Sequence, residues 1–152
     1  MIDIQKIKDI LPHRYPLLLV DRIVDIDVNK SLNAYKNVTI NEDIFNGHFP
    51  AQAVYPGVYI IEGMAQAGGV LAFISMFGED SVNHGDKIVY FMSIDNAKFR
   101  KPVVPGDRLD YKLEVLKHKG DIWVLQGYCY VDDKLVAQAE LKAMIVDNKA
   151  KK

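Results

Sequence analysis

The sequence predicts an α+β fold in which an antiparallel sheet covers a single buried helix, and three observations lead there. Residues 58–77 form a run of twenty nearly apolar residues, too long and too uniformly hydrophobic for a strand. Strand-like segments flank it, two before and four after. Short turns rich in Gly and Asp separate the last of these, as antiparallel hairpins require. A sheet with an apolar face and a helix that is apolar all round must cover each other.

Taken in order, Ile4, Ile7, Ile10 and Leu11 recur at helical spacing over residues 2–11, and Pro12 ends the pattern. Residues 17–28 then switch to alternation, with Ile26 and Val28 flanking acidic side chains. Asn29-Lys30 reads as a turn and 31–40 as a second strand paired to the first. Tyr55-Pro56-Gly57 leads into the long helix at 58–77, where proline suits a first turn. Residues 87–94 are apolar on both faces, the signature of a central strand. After a turn at 102–107, strands are expected at 109–116, 122–131 and 134–146, joined at Lys119-Gly120-Asp121 and Asp132-Asp133-Lys134. The whole chain, 1–152, reads as one domain with a frayed tail from about 148 to 152.

The bulk numbers narrow the function. A formal net charge of −1 gives no electrostatic reason to expect nucleic acid. The single cysteine, Cys129, excludes an internal disulfide framework and a cysteine-based zinc site, and it lies in a strand-like run as a buried thiol would. Neither CxxC nor HExxH occurs, so no metal site is expected. Charged and apolar residues alternate at the N-terminus, which is not a signal peptide, and a cytoplasmic protein is the expectation. Residues 58–77 are long enough to span a bilayer. Against insertion, Glu62 and Gln66 share a face at i, i+4, and Gly63, Gly68 and Gly69 suit close packing on a sheet.

Glu62 then needs a reason. A carboxyl in an apolar helix is costly unless paired or neutral. Fourteen positions earlier, His48 stands in the Gly/Pro-punctuated segment Asn46-Gly47-His48-Phe49-Pro50. A neutral imidazole takes a proton from a carbon acidified by a carbonyl, and a glutamic acid with a raised pKa gives one away. Together they suit the elimination of water. The charge building on the carbonyl oxygen needs a donor, and the N–H of Gly57 at the positive end of the helix is placed to be one. Composition and spacing do not name the substrate.

With these residues in hand, the chain resembles the 3-hydroxyacyl-acyl carrier protein dehydratases of the FabZ type, over about residues 7–146. The shared motifs are Leu11-Pro-His-Arg-Tyr-Pro-Leu-Leu-Leu-Val-Asp-Arg22, Gly47-His-Phe-Pro50, Pro56-Gly-Val58 with Glu62-Gly-Met-Ala-Gln66, and Val103-Val-Pro-Gly-Asp107. The resemblance implies a hot-dog fold, a curved antiparallel sheet wrapped around the long helix. It implies homodimers with shared active sites, assembled three to a hexamer, so that His48 of one subunit faces Glu62 of another. The implied reaction is reversible dehydration of a (3R)-hydroxyacyl thioester to the trans-2-enoyl thioester in bacterial fatty-acid synthesis. His48 is the base, Glu62 binds or protonates the departing hydroxyl, and the Gly57 N–H polarises the thioester carbonyl. The substrate rides on the phosphopantetheine arm of acyl carrier protein, with no further cofactor.

An acyl chain needs an apolar tunnel, for which Phe49, Pro56, Gln66, Ile88, Tyr90 and Phe99 are candidates beside the motifs. Ile88 and Tyr90 share one strand face, and Tyr90 suits a gate. Phe73 is equally well explained as core. Lys98, Arg100, Lys101 and Arg108 surround a turn and suit docking of the acidic carrier protein. His13 and Arg14 read as structural, while His84 and His118 fall in expected loops without visible partners. Three other readings stand beside the dehydratase. An isomerising dehydratase of the same fold usually carries aspartate at position 62. A hot-dog thioesterase needs no essential imidazole, and an acyl-binding regulator needs neither His48 nor Glu62. The chain departs from the family pattern at 51–56, where Tyr55 stands in place of the usual methionine.

Overall fold

Asp3 caps the first helix, α1 (Ile4–Ile10), its carboxylate accepting a hydrogen bond from the Lys6 N–H at 3.1 Å. The helix is shorter than the expected 2–11. At its start Ile2 is drawn into a bridge with Ile23, and at its end Pro12 holds Leu11 in the extended region. The computed structural model describes residues 1–149. The expected tail therefore lies mostly outside the described residues, but its first member does not fray. Asn148 is tied by its N–H to the Asp86 carbonyl at 2.8 Å and by its side chain to the Gly85 carbonyl at 2.9 Å.

Strands β1 (Arg22–Asp27) and β2 (Ser31–Asn37) form a hairpin turned at Asn29, whose φ of 65° suits asparagine. Both are shorter than the alternation suggests, because other partners take their flanks. The Leu19 N–H goes to the Gln66 side chain, and Val38 exchanges hydrogen bonds with Gly106 and Asp107. The long helix α2 (Gly57–Phe77) follows, then β3 (Lys87–Phe99), β4 (Arg108–Lys119), β5 (Ile122–Val131) and β6 (Lys134–Asp147). Both expected hairpins are present. Gly120 and the pair Asp132-Asp133 take the left-handed conformations that such tight turns need.

The six strands form one antiparallel sheet in the order β1-β2-β4-β5-β6-β3. Helix α2 lies on its inner face against β2, β4, β5 and β6. Two glycines allow that approach. A Cβ on Gly68 would sit 2.5 Å from Leu125 Cδ1, and one on Gly63 would collide with the Tyr111 hydroxyl. Helix α2 is long and apolar enough to cross a bilayer, yet 72% of that stretch is buried inside this chain, so it is a core helix. Cys129 is buried as expected, and burial raises its thiol pKa.

Strand β3 departs from expectation. It is not central but one of the two edge strands, paired with β6. It is also longer than expected, and Tyr90, Phe91, Met92, Ile94 and Phe99 are all 40–57% exposed. His118 departs too. It lies near the end of β4, stacks on Trp123 at 3.6 Å between ring centroids, and donates through Nε2 to the Gly120 carbonyl at 2.7 Å. His84 lies in a turn as expected, and is not without a partner.

Candidate active site

A single turn of 3₁₀ helix, Asp43–Asn46, delivers His48, whose backbone is pinned on both sides. Its N–H donates to Ile44 O at 3.0 Å, and its carbonyl accepts from the Val54 N–H at 3.1 Å. The His48 ring sits 2.6 Å from the Val54 carbonyl through Nδ1. A carbonyl can only accept, so Nδ1 carries the hydrogen and Nε2 keeps its lone pair. His48 is thereby oriented as a base. Phe49 stacks on it at 4.0 Å and is half exposed.

Beyond Val54, Tyr55 is tied by its N–H to the Val103 carbonyl at 2.8 Å, which sets the angle at which the chain reaches α2. Pro56 is buried and occupies the cap position with φ −60°, so the helix proper starts at Gly57, one residue earlier than expected. The Gly57 N–H stands in the first turn, where the helix offers it no carbonyl. The Phe99 ring lies directly over Gly57, and a Cβ there would approach it to 2.8 Å. His48, Gly57, Phe99, Arg100 and Lys101 line one open cleft of about 480 Å³. The structure thus brings together the expected base, the expected oxyanion donor, one expected tunnel residue and two of the four basic docking candidates.

Glu62 is elsewhere. Five residues beyond Gly57, it points about 140° further round the helix and does not line that cleft. Its neighbours come from the segment 13–19. The Gln66 amide donates to Glu62 Oε1 at 2.9 Å and to the Leu17 carbonyl at 2.7 Å, while Gln66 Oε1 accepts from the Leu19 N–H at 2.8 Å. Both amide hydrogens are therefore used within the chain. Gln66 holds Glu62 and the 17–19 segment in place and has no donor left for a substrate.

The closest titratable group to Glu62 is His13, with Nε2 3.5 Å from Oε1. The sequence marks His13 only as part of a motif and gives no sign of this contact, since a histidine before a helix-free segment carries no periodicity. Arg14 is structural as expected, donating to the carbonyls of Leu11, His13 and Lys8 at the end of α1.

The electrostatics of Glu62 correct the expectation of a raised pKa. Partial burial does push its carboxyl upward, but the hydrogen bonds from His13 and Gln66 and the charge of His13 outweigh burial and hold it below the ordinary carboxylate range. Within one chain these contacts favour the carboxylate form of Glu62 over the acid.

Other expected residues are more dispersed. Val89 faces α2, 3.5 Å from where a Gly69 Cβ would lie, so Ile88 and Tyr90 point to the opposite face of the strand. Neither lines the His48 cleft within one chain. Phe73 is buried core. Lys98 is exposed on β3, whereas Arg108 pairs with Asp110 at 2.8 Å and lies over the Tyr35 ring, away from the cleft. Among the described residues no group of three or more His, Cys, Asp or Glu side chains is arranged to hold a metal ion.

Residues 11–140 match the family model of the FabA-like domain. The chain is 70% identical over 145 residues to the 3-hydroxyacyl-acyl-carrier-protein dehydratase FabZ of Wolinella succinogenes, covering 95% of this chain and 96% of that protein. It is 65% identical over 147 residues to the protein of the same name from Campylobacter fetus, covering 97% and 99%. Among solved structures, it is similar to the dehydratase heterocomplex ApeI:P from Xenorhabdus doucetiae, with a TM-score of 0.76 at 17% identity, covering 95% and 92% of the two chains. A hypothetical thioesterase with coenzyme A from Streptococcus pneumoniae is similar at TM-score 0.61 and 14% identity, over 84% of this chain and 86% of that one. These two likenesses show the shared hot-dog fold.

Proposed function

The chain belongs to the FabA-like family, among the FabZ-type 3-hydroxyacyl-acyl carrier protein dehydratases, and from that membership we propose the chemistry of its own residues. The reaction is reversible dehydration of a (3R)-hydroxyacyl thioester, carried on acyl carrier protein, to the trans-2-enoyl thioester. The thioester carbonyl oxygen lies against the Gly57 N–H, at the positive end of α2. His48 Nε2 takes the proton from C2, the C3–oxygen bond breaks, and the C2–C3 double bond forms. The hydroxyl leaves as water with a proton delivered from Glu62 of the partner subunit.

One proton is shared by this pair. Protonated Glu62 with neutral His48 is the form that dehydrates, and carboxylate Glu62 with imidazolium His48 is the form that hydrates. Acid–base exchange between these side chains balances the reaction, so no metal or cofactor beyond the carrier's arm is invoked.

The separation of the two groups carries this reading. His48, Gly57 and Phe99 meet at one cleft, while Glu62 faces another side of the same helix. A complete site therefore needs a second copy, and the apolar β3 edge offers it a place to join. Ile88 and Tyr90 on that strand then line the acyl tunnel with Phe49, Pro56 and Phe99, Tyr90 acting as its gate. Arg100 and Lys101 at the cleft mouth receive the acidic carrier protein. Three such dimers form a hexamer in the cytoplasm.

The test is direct. Purified protein given crotonyl or 3-hydroxybutyryl thioesters of acyl carrier protein or coenzyme A should interconvert them, followed by enoyl absorbance, without releasing free thiol. Thiol release would identify a thioesterase instead. A β,γ-enoyl product would identify an isomerising dehydratase.

A further inference from the structure

We propose that His13 is a positioning residue that aims the Glu62 carboxyl group from the side opposite the helix, in addition to the His48–Glu62 pair; this rests on the dehydratase reading above. Two observations of geometry carry it. His13 Nε2 stands 3.5 Å from Glu62 Oε1, a long contact of the kind that tightens when substrate closes a site. At the other end of the ring, Nδ1 is buried with no hydrogen-bond partner among the described residues.

That orphaned nitrogen decides which way the ring works. With its hydrogen on Nδ1, His13 would bury an unpaired N–H donor and turn a lone pair toward a carboxylate. With its hydrogen on Nε2, it leaves only an unpaired acceptor and points a donor at Glu62. The second arrangement costs less on both counts. His13 is also held by its neighbour, since the His13 carbonyl accepts from Arg14 Nη1 at 2.7 Å while Arg14 also grips the Leu11 carbonyl at 2.8 Å. The ring is thus presented from a segment locked to the end of α1.

The groups facing Glu62 from every side are few. Helix α2 contributes Gln66, which cannot titrate, and the 13–19 segment contributes His13, whose interactions lower the carboxyl's pKa against the opposing effect of burial. Arg14 is turned to backbone carbonyls, away from Glu62. Among the described residues, His13 is therefore the titratable group of this chain that meets Glu62.

The consequence lies in the pH profile. The pair needs one proton in either direction, and activity fails at low pH when Glu62 takes up a second. A donor at position 13 keeps that failure at low pH, and removing the donor moves it up. His13→Ala and His13→Leu remove the donor, whereas His13→Gln keeps an N–H of similar reach. We expect the acid limb of kcat/KM for crotonyl-thioester hydration to move to higher pH in the Ala and Leu variants, with about a tenfold loss at a pH on that limb. The Gln variant should keep the wild-type limb, and the alkaline limb should stay put in all three.

Loss of activity with both limbs unmoved would overturn the proposal, because a merely structural His13 lowers activity at every pH alike. Failure of both donor-less variants to fold, with His13→Gln folded, would also overturn it by making the role structural. An inactive wild-type protein would instead refute the dehydratase reading and is told apart at the outset.

Discussion

The two ends of the active chemistry are built in opposite ways. The Glu62 side is assembled within one chain: Gln66 and His13 meet the carboxylate and Gln66 ties it to the 17–19 backbone, with His13 Nδ1 left unpartnered among the described residues. The His48 side is open. Its cleft carries a base, a helix-terminal N–H that the helix does not use, and the half-exposed Phe99 ring, with Phe49, also half exposed, stacked on His48. A residue group that is complete alone serves to hold a charge, and one that is incomplete alone awaits a partner. The same contrast appears at the sheet margins. Strand β1 is six residues long, bulged between Ile23 and Asp25 and punctuated by aspartates, the features that keep an edge from pairing. Strand β3 is also irregular, at Phe91/Ser93 and Asp95/Lys98, but it is thirteen residues long and exposes an apolar strip.

The contrast breaks most visibly at His48. His48→Ala should lower kcat/KM about 10³-fold or more while leaving circular dichroism and thermal melting unchanged, because the residue lies at an open cleft and not in the core. Retained activity would remove the base from the mechanism. Next, Glu62→Ala should cost about 10²–10⁴ in rate and also a modest amount of stability, since it frees one Gln66 hydrogen that the 17–19 segment shares. An equal stability in the two alanine variants would blur the distinction drawn between open and finished halves.

The strip on β3 gives the next effect. Lysines at Met92 and Ile94 together should convert the assembly toward monomers on sedimentation, with activity falling in parallel on dilution. An unchanged mass would place the subunit contact elsewhere. Smaller still, Gly63→Ala forces the Tyr111 hydroxyl off the Leu19 carbonyl and should destabilise the fold by about 1–3 kcal/mol in chemical denaturation. Its effect on activity should be weaker than that of either alanine variant.

Much of this was legible in the sequence, and the exceptions share a cause. Helix α2 could be read because its apolar run has no strand-length solution, and the hairpins because Asn29, Gly120 and Asp132-Asp133 sit where left-handed backbone is needed. His48 and Gly57 could be placed at one cleft because glycine and proline shape the chain on both sides. Strand β3 was misplaced to the sheet centre because hydrophobicity on both faces reports burial, and does not say whether the same chain or another provides it. The apolar run around Glu62 points to a raised pKa because it shows only the helix and none of the polar groups packed on it. The correction comes from His13, brought across by the turn after α1, a contact far in sequence that no local pattern encodes.

The central claim is that His48 and Glu62 of the working site belong to different subunits, and mixing the two inactive variants tests it most directly. His48→Ala and Glu62→Ala proteins should be dissociated together, reassembled, and checked for mixed oligomers by native mass spectrometry. Half of randomly paired dimers are mixed and each mixed dimer holds one intact site, so activity should return to about a quarter of wild type. Mixed oligomers without recovered activity would contradict a shared site.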